Sequence, residues 1–237
     1  MPTRPDRAVA AAEDAAPASM LTVLVALGAN LLIAIAKTIA AALTGAASMV
    51  AEAAHSWADT GNEIFLYVAA RRSVKPADAS HPVGYGREAY VWSLFAAFGL
   101  FVVGAGVSIM HGVQELFDPE PADRFGISYA VLAIAFVLEG TSFLQAWRQS
   151  RREASASHRD VLDHVMSTSD PTLRAVFFED AAALIGLVIA FVGILLHQIT
   201  GSAVPDAVGS ILVGLLLAVV AYVLIRQNRR FLIGVAV

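Results

Sequence analysis

Long apolar stretches dominate this sequence, and they constrain the fold more than any other feature. A transmembrane helix needs about 20 mostly apolar residues. Six stretches reach that length, at roughly 20–45, 47–71, 88–112, 126–147, 173–197 and 206–226. Alternation with a period of two is absent, and the strands of a membrane barrel would be about half as long. The chain is therefore predicted to be an all-α membrane protein with six transmembrane helices.

The composition agrees with a protein that crosses a membrane several times. Of the 237 residues, 57% are hydrophobic and 15% are charged, whereas soluble domains carry about 25% charged residues. The chain contains no cysteine, so disulfides and thiolate metal sites are excluded. Any metal ligands must be His, Asp, Glu or other oxygen donors. No nucleic-acid partner is expected, and the bilayer is the expected surrounding.

The basic residues predict how the spans are oriented, because loops rich in Lys and Arg face the cytoplasm. Three clusters lie after spans two, four and six: Arg71, Arg72, Lys75 and Arg87; Arg148, Arg151, Arg152, Arg159 and Arg174; Arg226, Arg229 and Arg230. The opposite side carries only Arg124. Both termini are therefore predicted to be cytoplasmic, in a multi-pass protein of the plasma or inner cell membrane. Residues 1–19 are predicted to be a disordered cytoplasmic tail, and residues 20–226 a six-helix transmembrane domain.

The second apolar stretch contains an unusual number of ionisable residues. In "AEAAHSWADTGNE", residues 51–63, these are Glu52, His55, Asp59 and Glu63. Each ionisable group in a bilayer costs about 2.5–3.5 kcal/mol on insertion scales and normally faces a partner or a wet cavity. His55 and Asp59 are four residues apart, so they lie on the same face of a helix. That spacing suits two ligands of one ion, although a hydrogen bond between helices is the simpler alternative.

Acidic residues in two other spans lie at a similar depth. Glu179 and Asp180 occupy span five, and Glu139 occupies span four. At about 1.5 Å of rise per residue, they reach the same layer near the membrane middle as His55 and Asp59. The sequence therefore predicts a cation site there. Glu139 is either a proton carrier or a carboxylate behind the ligands, or it simply bonds to a neighbouring helix.

Five polar residues have more modest predicted roles. Lys37 and Glu52 flank the turn between the first two spans and are predicted to form a structural ion pair, with a proton relay as the alternative. Asn62 either offers its carbonyl or holds a ligand carboxylate. Glu63 lies one turn nearer the cytoplasm than Asp59 and is placed on the entry path. Asp206, after Pro205, is predicted to cap the N-terminus of span six.

The predicted ligands indicate the kind of ion and how its transport is driven. Imidazole with carboxylates suits Zn²⁺, Co²⁺, Fe²⁺ and Mn²⁺, and Cd²⁺ remains a candidate. Asp59, Glu179 and Asp180 cannot all stay ionised when clustered in a low-dielectric setting. A bound divalent ion expels their protons, because ligands must be deprotonated to coordinate it. The site therefore predicts exchange of metal for protons.

Several motifs in order resemble the cation diffusion facilitator family of divalent-metal exporters. They are "GAASMVAEAA" followed by "HSWAD" in span two, "HPVGYGREAYVWSL" entering span three, "DAAALIGLVIA" in span five and "PDAVGSILVGLLL" in span six. The resemblance implies six helices, a homodimer, and export of a divalent transition metal, Zn²⁺ first, from the cytoplasm in exchange for protons. A Mn²⁺, Fe²⁺ or Co²⁺ exporter and a transport-inactive metal-binding partner subunit are the alternatives.

The resemblance also implies which residues bind the metal. His55 and Asp59 match the pair on span two, and Asp180 matches the second member of the pair on span five. The first member of that pair is Val176 here, and Glu179 is expected to take its place, as in a family subgroup with Glu-Asp in the fifth helix. Residues 227–237, with "RRFLIGVAV", resemble the start of a linker to a cytoplasmic domain that is absent from this chain.

An intramembrane metalloenzyme is disfavoured. The sequence has neither the His-Glu-x-x-His pattern of metalloproteases nor a Gly-x-Ser-x-Gly nucleophile elbow. The protein is therefore expected not to be an enzyme.

Overall fold

The structure is a computed structural model that describes residues 20–119, 122–156 and 159–233. All regular elements in these ranges are helices, which confirms the all-α prediction. In chain order they are α1 (Met20–Thr44), α2 (Ala47–Ser73), α3 (Glu88–Phe117), α4 (Phe125–Ala156), α5 (Val161–Ser167), α6 (Pro171–Thr200) and α7 (Val204–Leu232). The predicted tail at 1–19 lies outside the described residues, as do residues 234–237 of the predicted linker. Residues 227–232 of that linker still belong to α7.

Five helices within the described ranges are long and apolar enough to cross a membrane: α1, α3, α4, α6 and α7. Helix α2 has 27 residues, which is long enough, but its charged residues keep it out of this group. Helix α2 packs against α1, α3, α6 and α7. Its polar side chains at Glu52, His55 and Asn62 are buried against these neighbours. That α2 is a sixth membrane-crossing helix remains a prediction.

The two ends of the bundle differ in chemistry. At the basic end, defined by Arg71, Arg148 and Arg174, the chain leaves α2 and α4 and enters α6. The opposite, distal end is filled by an apolar cluster between α1, α2, α4 and α6. This distal apolar cluster consists of Ala40, Ala41, Ala46, Met49, Leu132, Ala135, Leu187, Ala190 and Ile194. Along their helices, the members of this cluster lie on the distal side of His55, Glu139 and Glu179.

Helix α6 has clear start and stop signals in the sequence. Asp170 accepts hydrogen bonds from the backbone N–H groups of Thr172 (2.8 Å) and Leu173 (3.2 Å), and Pro171 occupies the first turn. Gly201 ends the helix with φ of 68°, a left-handed conformation that glycine adopts without a Cβ clash. These caps fix the limits of the helix that carries Glu179 and Asp180.

The N-cap prediction for Asp206 is wrong. The N-cap residue of α7 is Ala203, which has no side chain that could accept a capping hydrogen bond. Asp206 instead accepts hydrogen bonds from the backbone N–H groups of Ala47 (2.7 Å) and Ser48 (3.1 Å) at the start of α2. Its carboxylate therefore caps a different helix, which a local sequence pattern cannot reveal.

One of the basic residues used to orient the chain is buried. Arg174 has no exposed surface. Its guanidinium donates to the carbonyl oxygens of Val165 and Thr168 and to Oδ1 of Asn228, and it lies over the ring of Phe231. Arg174 thus ties the segment before α6 to the end of α7.

Candidate metal centre

A cavity of about 330 Å³ lies between α1, α2, α4 and α6. Its wall includes five acidic residues: Asp59, Glu63, Glu139, Glu179 and Asp180. Helix α2 lines it from Ser56 to Leu66, and α4 lines it from Leu138 to Gln145. Both runs extend toward the basic end of the bundle, while the distal apolar cluster lies at the other end. The predicted acids of three helices therefore meet around one cavity, and α1 adds a fourth wall.

His55 supports the cavity wall from behind. Its Nε2 lies 3.3 Å from Oδ2 of Asp59, one turn further along α2. His55 is 1% exposed and does not line the cavity itself. Neither of its ring nitrogens has a hydrogen-bond partner within the described residues. The helical spacing thus brings His55 and Asp59 together, with Asp59 nearer the cavity.

Glu179 is held by one of its two carboxylate oxygens. Asn62 on α2 donates a hydrogen bond from Nδ2 to Oε2 of Glu179. The other oxygen, Oε1, is buried and has no hydrogen-bond partner in the described part of the chain. Val176, one turn earlier on α6, also lines the cavity. Glu179 therefore lines the same cavity as Val176, and Asn62 holds one of its carboxylate oxygens.

Two further acids are held by polar residues that the sequence analysis missed. Ser142 on α4 donates to Oδ2 of Asp180 at 2.7 Å. Asn30 on α1 donates to Oε1 of Glu63 at 2.6 Å. Helical spacing offered a signal, because Ser142 is three residues after Glu139, on the same helix face.

Lys37 has two acidic partners rather than the single predicted one. Its Nζ lies 2.8 Å from Oε2 of Glu52 and 2.9 Å from Oε1 of Glu139. Lys37 and Glu52 have no exposed side-chain surface, and Glu139 is 13% exposed. Because Glu139 also lines the cavity, the ionic group connects to the candidate site.

The side chains around the cavity do not form a coordination shell. Across the described ranges, no group of three His, Asp or Glu side chains is arranged so that it could hold a metal ion. Several buried polar atoms of the predicted site nevertheless have no hydrogen-bond partner there: Nδ1 and Nε2 of His55, Oδ1 of Asp59, Oδ1 of Asn62, Oε2 of Glu63, Oε2 of Glu139 and Oε1 of Glu179. Buried polar atoms normally have partners, so this concentration of unpartnered atoms in one region is unusual.

The chain is similar to several curated transport proteins. Over 198 residues it is 39% identical to the "Proton-coupled zinc antiporter SLC30A9, mitochondrial" of Mus musculus, a match covering 84% of this chain and 35% of that protein. Over 186 residues it is 39% identical to "Metal tolerance protein C4" of Arabidopsis thaliana, covering 78% and 41%. The "Cation-efflux pump FieF" of Shewanella oneidensis is 30% identical over 158 residues, covering 66% and 50%. The matches thus cover between about a third and a half of these relatives.

These names contradict one prediction. A plasma or inner cell membrane was expected, but the mouse relative and the human relative, also 39% identical, are both named mitochondrial. Orientation rules based on basic loops give the side of a membrane and do not identify which membrane it is. The multi-pass character is supported by the apolar helices.

The family is shown by a match over most of the chain. The model of the cation efflux transmembrane domain matches residues 23–233, which include every helix that lines the cavity. The chain therefore belongs to the cation efflux, or cation diffusion facilitator, family.

Proposed function

We propose that the chain is a secondary transporter that moves a divalent transition-metal ion across the membrane in exchange for protons. The observation that carries this proposal is the cavity lined by five carboxylates inside the helical bundle. Carboxylates in such a setting are costly and normally mark an ion pathway. An enzyme would need an activated nucleophile or a metal-bound water, whereas a transporter needs only a site that binds the ion and then releases it.

Four residues are proposed to hold the ion: His55, Asp59, Glu179 and Asp180. Asp59, Glu179 and Asp180 line the cavity, and His55 lies against Asp59. Small side-chain rotations would bring the free atoms of His55 and Glu179 toward the ion. Zn²⁺ is the first candidate because mouse and human relatives are named as zinc antiporters. Imidazole with carboxylates also suits Mn²⁺, Fe²⁺ and Co²⁺, and Cd²⁺ belongs in the same comparison.

The shape of the cavity supports a direction of transport. Its wall runs toward the basic end, while the distal apolar cluster lies between the acids and the other end. An ion therefore enters from the basic side, and release requires the distal apolar cluster to open, as in alternating access. Protons return to the carboxylates as the ion leaves, because ligands must lose protons to coordinate a metal. The names of the mouse and human relatives favour a mitochondrial membrane, and a homodimer is the proposed assembly.

Flux measurements in proteoliposomes test this function. Zn²⁺, Mn²⁺, Fe²⁺, Co²⁺ and Cd²⁺ would be offered to the purified protein, and the internal pH would be recorded. We expect metal uptake to be accompanied by proton movement in the opposite direction. Asp59→Asn and Asp180→Asn should abolish metal uptake. Asp123 is an exposed acid away from the cavity, so Asp123→Asn should leave uptake unchanged.

Three outcomes have different meanings. Wild-type flux from both cavity variants would remove the proposed site. Metal binding without flux in the wild type would favour the transport-inactive partner subunit. Flux without any change of internal pH would exclude proton exchange and leave a simple metal carrier.

A further inference from the structure

Glu139 stands between the buried lysine and the cavity. One of its oxygens, Oε1, lies 2.9 Å from Lys37 Nζ. The other, Oε2, is buried and has no hydrogen-bond partner within the described residues. Glu139 also belongs to the cavity wall, together with Asp59 and Asp180. The residue that contacts the buried ammonium group of Lys37 therefore also belongs to the wall of the proposed ion site.

The charges of this group do not balance. Lys37 carries one positive charge, and it contacts the carboxylates of both Glu52 and Glu139. When all three groups are ionised, one negative charge is left over. Glu52 is completely buried and does not line the cavity, whereas Glu139 does. The excess negative charge is therefore available to a cation in the cavity through Glu139.

A second feature of the cavity also points to a cation. Glu179, on the helix opposite Glu139, is 7% exposed, and its Oε1 has no hydrogen-bond partner in the described part of the chain. Buried carboxylate oxygens without donors are costly. Both residues line one cavity, and a cation bound in that cavity would offset the cost of burying these oxygens.

We propose that Glu139 is a further ligand of the transported ion, binding it through Oε2, and that Lys37 is a positioning residue that holds Glu139 against the cavity through Oε1. This inference rests on the proposed function. It adds a ligand from α4 to a site otherwise built from α2 and α6. The ammonium group of Lys37 also withdraws charge from Glu139, so the ion is bound less tightly and leaves more readily than it would beside a free carboxylate.

A matched pair of substitutions tests the ligand. Glu139→Gln and Glu52→Gln each remove one negative charge next to Lys37, but only Glu139 lines the cavity. Zn²⁺ affinity would be measured by calorimetry on the full chain in lipid nanodiscs at one pH. We expect Glu139→Gln to weaken Zn²⁺ binding about tenfold or more, the size of loss seen even for groups behind a ligand, and Glu52→Gln to weaken it much less. Equal losses from both variants, or unchanged affinity in Glu139→Gln, would overturn the inference.

A double variant tests the role of Lys37, and it does so even if Glu139→Gln fails to fold. Lys37→Met combined with Glu52→Gln removes the ammonium group and the carboxylate of Glu52 together. Of the three residues, Glu139 alone then still carries a charge. Zn²⁺ should bind more tightly, because no ammonium competes for the carboxylate, and Zn²⁺ release measured by stopped flow should slow. Weaker binding or faster release would contradict the inference that Lys37 competes with the ion for the charge of Glu139.

Asp59→Asn separates this inference from the function on which it rests. If Asp59→Asn abolishes Zn²⁺ binding and Glu139→Gln does not change it, the proposed transporter stands and only the role of Glu139 is lost. If Asp59→Asn binds Zn²⁺ like the wild type, the proposed site itself is wrong.

Discussion

The carboxylate of Asp206, in the first turn of α7, caps the N-terminus of α2 by accepting the N–H of Ala47 at 2.7 Å. The second oxygen accepts the N–H of Ser48 at 3.1 Å, and the Ser48 hydroxyl donates to the backbone carbonyl of Asp206. Free N–H groups and a partial positive charge are concentrated at a helix N-terminus. A buried anion at that point is therefore satisfied, and the distal ends of the two helices are fixed to each other.

Replacing Asp206 should destabilise the distal end of the bundle. Asp206→Ala leaves two buried N–H groups without an acceptor, which costs about 1–3 kcal/mol for each such group. Asp206→Asn retains one acceptor and should cost less. The thermal unfolding temperature of both variants would be measured in lipid nanodiscs, with Asp123→Ala, a substitution of an exposed residue, as the control. An unfolding temperature for Asp206→Ala equal to that of the control would show that the cap contributes nothing.

Gly112 permits the close contact of α3 with α7. A Cβ added at this position would lie 2.8 Å from the carbonyl oxygen of Ala207 and 3.0 Å from the backbone N of Ile211. Backbone atoms cannot move aside as the end of a side chain can. Small residues allow this kind of approach between membrane helices. The contact therefore depends on the missing side chain.

Gly112→Ala should separate α3 from α7 and lower the unfolding temperature. Gly140 provides the matched control, because a Cβ there would meet only Leu184 Cδ2 at an ordinary 3.9 Å. Gly140→Ala should fold normally and also gains helix propensity. The two variants would be compared by thermal unfolding monitored by circular dichroism. The packing explanation fails if they unfold at the same temperature.

The sequence allowed the helices and much of the cavity wall to be predicted, for a specific physical reason. Helical periodicity places residues four apart on one face, so the approach of His55 to Asp59 is a local property. Apolar length predicted the five helices that are long and apolar enough to cross a membrane, and the relative heights of Glu179 and Asp180 were predicted by counting residues. These features need no knowledge of how the helices pack.

Contacts that depend on helix rotation were not predictable in the same way. Asp206 was assigned to its own helix, but it caps α2, because α7 turns that side chain toward a neighbour. Lys37 was given one acidic partner, and the rotation of α4 supplies Glu139 as a second. Ser142 shares a helix face with Glu139, but nothing local indicated its contact with Asp180, and Asn30 gave no local signal of its contact with Glu63. Each of these contacts joins residues from different helices, so one sequence read along the chain could not reveal it.

Arg174 should prove structural, although it lies in a region rich in basic residues. It is fully buried and donates to Val165 O, Thr168 O and Asn228 Oδ1. Arg174→Lys keeps the charge but cannot match the fork of guanidinium donors. We expect a lower unfolding temperature and loss of protection from hydrogen exchange at α5. Arg152→Lys, on the exposed end of α4, is the control, and matching behaviour in the two variants would contradict the structural role.

The contact between Asn62 and Glu179 allows a direct test of whether the orientation of the Glu179 carboxylate matters for metal binding. Asn62 Nδ2 donates to Oε2 of Glu179, and Oε1 has no hydrogen-bond partner among the described residues. If Glu179 is a ligand, Glu179→Ala should weaken Zn²⁺ binding by about ten- to a hundredfold. Asn62→Ala should weaken it less, because the carboxylate remains but loses its fixed orientation.

The double variant distinguishes positioning from independent binding. If Asn62 acts only through Glu179, removing both should cost no more Zn²⁺ affinity than Glu179→Ala alone, because residues in contact are not additive. Additive losses would mean that Asn62 touches the ion through its own carbonyl oxygen. Unchanged affinity in Glu179→Ala would instead leave only His55, Asp59 and Asp180 at the site. Calorimetry with Zn²⁺ on the three variants and the wild type decides between these outcomes, since each predicts a different order of affinities.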